Sequence, residues 1–162
     1  MNILIQLTYQ KAFTIVLLFS LLITLAGLNV RELCSGDETR VAGIAAEMFI
    51  EKDYLVPHLN GEPFLEYPPL YYWAISLSYR IFGINDFAAK LPSALAAIGC
   101  GILIFAFAKA MKFHPWNALG STIILMSSAQ FFEKSRECMV DMMLAFFILM
   151  AIYHCCPIKK SV

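Results

Sequence analysis

Four apolar runs, at about 13–30, 92–109, 116–132 and 139–156, divide the chain, and a long mixed segment, a short basic one and a short mixed one separate them in turn. Each run approaches the length that crosses roughly 30 Å of hydrocarbon at about 1.5 Å per residue, so the pattern predicts four transmembrane helices. The long interval, about 31–90, has a different period. Val41, Ile44, Ala45, Met48 and Phe49 recur at helical spacing opposite Arg40, Glu47 and Glu51, which predicts an amphipathic helix over about 38–52 lying along the membrane. Ser35 and Glu38 have capping-box spacing at its start. A second interfacial helix is expected over about 69–83, with Pro69 at its first position and Tyr71, Tyr72, Trp73 and Tyr79 at headgroup level. Arg80 and two serines argue against a fifth span there. Between the two helices Pro57, Pro63, Pro68 and Pro69 exclude continuous helix, and Asn60-Gly61 signals a turn. The expected fold class is all-α: a polytopic membrane protein forming a single membrane domain over 1–162.

Composition supports that class, because 60% of the 162 residues are hydrophobic and only 15% are charged. A net charge of zero gives no ground for a nucleic-acid partner. The distribution of charge is more informative. All acids fall between Glu32 and Asp86 or between Glu133 and Asp141, whereas Lys11, Lys109, Lys112, Lys159 and Lys160 occupy segments without acids. The positive-inside rule then places both termini in the cytoplasm and the 31–90 and 133–138 loops outside a plasma (inner) membrane. The first run also reads as a signal peptide ending near Thr24-Leu25-Ala26; the uncleaved anchor suits the topology better. The five cysteines, Cys34, Cys100, Cys138, Cys155 and Cys156, are odd in number and lack C-x-x-C spacing, which indicates neither zinc nor a disulfide framework.

Two acids stand at the outer boundary. Asp37 reads either as a first-turn acid satisfying helix amides or as a carboxylate placed to accept a proton. Asp141, just inside the outer end of the fourth run, reads either as an acid that caps the helix or pairs with Arg136, or as a functional intramembrane acid. His58 and Glu66, presented outward by the proline-rich turn, are a sparse pair for a divalent metal.

The ordered series Asp37-Glu38-x-Arg40, Ile44-Ala45-x-Glu47-Met48, Asp53 through Glu66, and Pro68-Pro69-Leu70-Tyr71-Tyr72-Trp73 resembles the start of family 39 and aminoarabinose-transferase-like glycosyltransferases of the GT-C fold. Phe87 through Ala94, and Ser135-Arg136 with Val140-Asp141-Met142, extend the resemblance over nearly the whole chain. The resemblance implies an enzyme that takes a sugar from a polyprenyl (undecaprenyl) phosphate lipid and transfers it to lipid A or protein on the outer face. It also implies that Asp37 and Asp141 are the catalytic carboxylates. Tyr67 replaces the lysine with which the aminoarabinose branch contacts the lipid phosphate, leaving Arg40, Glu66, Tyr67 and Arg136 as the donor- or phosphate-binding candidates. Four spans correspond to only the N-terminal part of such an enzyme, so the isolated chain is expected to be inactive and to be completed by further sequence or a second chain. The competing expectation is a non-enzymatic four-helix binding or assembly protein that associates through Gly99, Gly101, Ala106 and Ala110.

Overall fold

The computed structural model describes residues 7–34 and 36–155; Ser35, Cys156, Lys159 and Lys160 lie outside the described residues. The chain is mostly helical: α1 (Tyr9–Leu25), α2 (Gly36–Glu51), α3 (Leu70–Phe82), α4 (Asp86–Ala110), α5 (Pro115–Ser127), α6 (Ala129–Lys134) and α7 (Asp141–Cys155). The fold is not wholly α. Asn60-Gly61, both at positive φ (55° and 80°), turns the chain between β1 (His58–Leu59) and β2 (Glu62–Pro63), a small antiparallel hairpin.

Helix α4 is the central element and packs against α1, α3, α5 and α7. Asn85 caps its start by accepting the Ala88 amide at 2.8 Å, and the helix continues through Pro92, which was expected at the beginning of a span. At 25 residues it is the one helix among the described residues long and apolar enough to cross a membrane; α1 and α7 are apolar but shorter. The third expected span is interrupted, because Ser128 adopts extended backbone (ψ 135°) and separates α5 from the short α6.

Two expectations for the long loop need correction. The apolar face of α2 does not lie free along a membrane surface: Val41, Ile44, Ala45 and Met48 are buried in one cluster with Tyr71, Tyr72, Ile75 and Tyr79 of α3. Of the four aromatics expected at headgroup level, Tyr71, Tyr72 and Tyr79 are therefore core residues, because α3 lies between α2 and α4. Tyr71 shares a 2.7 Å hydrogen bond with Ser93 of α4, and Tyr79 donates to the Ala42 carbonyl at 3.3 Å. Only Trp73 is exposed, with its indole donating to the Tyr54 carbonyl at 2.7 Å.

Gly99 and Gly101 also pack within the chain. A Cβ on Gly99 would lie 2.5 Å from the Phe146 ring of α7, and one on Gly101 would lie 2.8 Å from Met126 Sδ of α5. These glycines let α4 approach its neighbours closely, so they do not form an outward association surface.

Candidate functional site

Adjacent residues on a helix point about 100° apart, and the first turn of α2 uses that separation. Asp37 faces outward with 61% of its side chain exposed, while Glu38 turns inward and is 1% exposed. Arg40, one turn on, brings Nη2 to 2.8 Å from Asp37 Oδ1 and 3.9 Å from Glu66 Oε2, and its guanidinium lies 5.5 Å from the Phe64 ring centroid. Arg40 is thus held between two carboxylates and an aromatic face, yet its buried Nε has no hydrogen-bond partner.

Glu66 reaches this position because α2 also holds the hairpin. Glu47 lies two turns beyond Arg40 and accepts the amides of Asn60 at 2.8 Å and Gly61 at 3.4 Å; Phe64 donates back to the Pro57 carbonyl at 2.7 Å. Tyr67 packs beside the α2–α3 core with its ring 6.5 Å from Phe64. Tyr72 completes the neighbourhood. Its hydroxyl is buried without a partner, and burial, followed by Tyr67, Arg40 and Glu66, governs its ionisation, with the phenol pushed up to about 12.

Asp141, the first residue of α7, belongs to a second group. Its Oδ2 is 3.8 Å from Lys134 Nζ, which makes a shorter 2.7 Å contact with Glu137. The Glu137 hydrogen bond raises the Lys134 pKa. Asp141 therefore pairs with Lys134, not Arg136. Arg136 lies over the Phe132 ring at 5.0 Å and against Gly27, apart from the Asp37–Arg40–Glu66 group.

The two outer segments meet through Glu38, read from sequence only as a cap and as part of a family motif. Its carboxylate takes Arg31 Nη2 at 2.9 Å, the Cys34 amide at 3.3 Å and, across the fold, the Cys138 amide at 2.9 Å. Arg31 also donates to the Arg136 carbonyl at 3.3 Å, while fully buried Lys90 donates to the Arg31 carbonyl. A lysine flanked by apolar residues near the start of α4 was the available signal for this network; the Lys90–Arg31 and Glu38–Cys138 links span 59 and 100 residues and could not be inferred from local pattern.

The metal expectation has little support in the donor set. Glu66 faces Arg40, His58 sits in β1, and among the described residues no group of three or more His, Cys, Asp or Glu side chains could hold an ion. The described residues do not fit a metal site. An apolar cavity of about 340 Å³ lies between α3, α4 and α7, lined by Leu77, Ile81, Leu95 and Phe146 among others.

Residues 14–160 match the family model described as dolichyl-phosphate-mannose-protein mannosyltransferase. The chain belongs to this family. Among its relatives, the undecaprenyl phosphate-alpha-4-amino-4-deoxy-L-arabinose arabinosyl transferase of Serratia proteamaculans is 33% identical over 134 residues, which cover 83% of this chain and 24% of that protein. The Proteus mirabilis transferase 2 of the same description is 31% identical over 138 residues, 85% of this chain and 25% of that protein. The crystal structure of ArnT from Cupriavidus metallidurans in the apo state superposes with a TM-score of 0.82 at 21% identity, over 96% of this chain and 28% of that one. The undecaprenyl phosphate complex of the same ArnT gives a TM-score of 0.77 at 22% identity, over 87% of this chain and 26% of that one. The family fold is shared, and the chain spans about a quarter of the length of these relatives.

Proposed function

We propose that this chain supplies the outer-face, donor-binding portion of a membrane glycosyltransferase that moves a sugar from a polyprenyl phosphate lipid to an acceptor such as lipid A or protein. In this reading α1, α4, α5 with the start of α6 to about residue 132, and α7 are the four membrane crossings, with both termini cytoplasmic and the α2–α3 segment and the 133–138 turn outside the plasma membrane. Exposed apolar side chains support membrane residence: Leu18 and Leu22 on α1, Ile124 on α5, and Leu144, Ile148 and Ile152 on α7. Lipid, the remaining three-quarters or so of the family fold, or a second chain would cover them.

The observation that carries the reading is Arg40, a cation oriented by Asp37 and Glu66 with an unpartnered Nε donor. A guanidinium so placed suits a phosphate monoester or diester, whose charge it neutralises through directed hydrogen bonds. The donor phosphate would bind Arg40, with Tyr67 contributing one hydroxyl at the position where the family resemblance implies a lysine. Asp37 then takes the proton from the acceptor nucleophile as that group attacks the sugar's anomeric carbon. The bond from anomeric carbon to phosphate oxygen breaks, and polyprenyl phosphate leaves with the bonding pair beside Arg40. Asp141 orients the acceptor from the second outer segment. The apolar cavity between α3, α4 and α7 has the chemistry to shelter part of a lipid chain.

The isolated 162 residues would bind the lipid phosphate but would not turn over. In the intact enzyme, transfer from a radiolabelled polyprenyl phosphate sugar should disappear in Asp37→Asn. Undiminished transfer by that variant would remove Asp37 from the chemistry.

A further inference from the structure

Glu38 holds together two segments that lie 100 residues apart in sequence, and each segment carries one of the aspartates. It is the neighbour of Asp37 in the first turn of α2, and the Cys138 amide that it accepts lies three residues before Asp141. A carboxylate that is 1% exposed is costly to bury unless its charge and lone pairs are met. Here Arg31 meets the charge and two backbone amides take lone pairs, one on each side of the join. Buried Lys90 fixes Arg31 in turn through the Arg31 carbonyl. This arrangement exceeds the needs of a helix cap, which requires only local amides.

We infer that Glu38 is a positioning residue: its buried carboxylate locks the start of α2 to the turn before α7 and sets Asp37 and Asp141 in register with each other. The lock is a property of the fold; its consequence for transfer rests on the proposed function above. Removing the lock loosens residues 135–138 against the start of α2, whereas Met139 keeps its carbonyl bond from Ser93 of α4 at 3.0 Å and packs with Val140 on the α2–α3 cluster. The opening thus stays local to Cys138, and the α4-centred helices stay packed.

Two cysteines provide a readout that needs no enzymatic activity. Cys138 is fully buried at the join with its thiol pushed up to about 12 by burial, and Cys100 is fully buried in α4, away from it. Peptide-resolved labelling with N-ethylmaleimide should therefore be slow at both in the native protein. In Glu38→Gln, which keeps the side-chain shape but loses the charge, Cys138 should label about tenfold faster while Cys100 is unchanged, the signature of local opening. Arg31→Gln should produce the same selective change to a smaller extent. Unchanged Cys138 labelling in both variants, or Cys138 and Cys100 becoming reactive together, would overturn the lock.

The catalytic consequence is read separately in the intact enzyme. Glu38→Gln should lower kcat about 10- to 100-fold while KM for the lipid-linked donor stays within about twofold, because misplaced groups lose rate and not donor contacts. Selective Cys138 exposure with unchanged kcat would overturn the positioning role and leave the lock; absence of transfer from the unmutated enzyme would instead count against the proposed function.

Discussion

The carboxylate of Glu47 accepts the Asn60 amide at 2.8 Å and so attaches the hairpin to α2, two turns from the arginine that Glu66 approaches. Both turn residues have positive φ, and Gly61, at 80°, has open space around its missing Cβ, so substitution there acts through backbone strain alone. Gly61→Ala should cost about 1–2 kcal/mol of local stability, and Glu47→Ala about 1 kcal/mol, since exposed amides regain water partners. Both should speed amide hydrogen exchange at Phe64, whose bond to Pro57 closes the loop. Unaltered exchange would show that the hairpin does not need α2.

Tyr67 tests whether charge is lacking beside Arg40. Tyr67→Lys should tighten undecaprenyl phosphate binding about fivefold, or about 1 kcal/mol, by adding a charge-assisted contact. Equal dissociation constants for the two proteins would exclude this position from the phosphate site.

The Lys134–Glu137 pair gives a pH dependence of defined sign. The folded-state pKa of Lys134 is raised, chiefly by its hydrogen bond to Glu137. Its contribution to stability is therefore fully present below the unfolded lysine value of about 10.4 and is lost as pH rises through the higher folded value. Lys134 is 37% exposed, so screening limits the pair to roughly 0.5 kcal/mol. Glu137→Gln should lower the melting temperature slightly at pH 8, and the difference should shrink above pH of about 10.4.

Gly99 tests the packing of α4 on α7. Gly99→Ala would put a Cβ 2.5 Å from the Phe146 ring and force ring or helix to shift, at about 1–3 kcal/mol. Gly99→Ala combined with Phe146→Leu should recover part of the loss in thermal melting, since a smaller side chain relieves the contact. No recovery would place the strain elsewhere.

Local signals made part of this architecture legible. Helical periodicity pointed to α2, Pro69 and the aromatic run to α3, and Asn60-Gly61 to the turn, because propensity and backbone chemistry act over a few residues. The same run misled on environment. Tyr71, Tyr72 and Tyr79 have a polar end that suits headgroups equally well, and only the placement of α2 and α4 on either side of α3 makes them core. Arg40 was legible as a candidate, and Asp37 lies within one helical turn of it, but its approach to Glu66 was not legible because it needs the hairpin to fold back. Arg136 and Lys134 exchanged roles as neighbours of Asp141 because the turn between α6 and α7 sets their directions. Glu38 stayed hidden as a structural join since its partner is 100 residues away.

The most direct measurement of the central claim is titration of undecaprenyl phosphate onto the purified chain in lipid nanodiscs, read by native mass spectrometry for the unmutated protein and for Arg40→Gln. The account predicts saturable one-to-one binding that weakens about tenfold or more, at least about 1.4 kcal/mol, when the guanidinium is removed. Equal binding by the two proteins would contradict it.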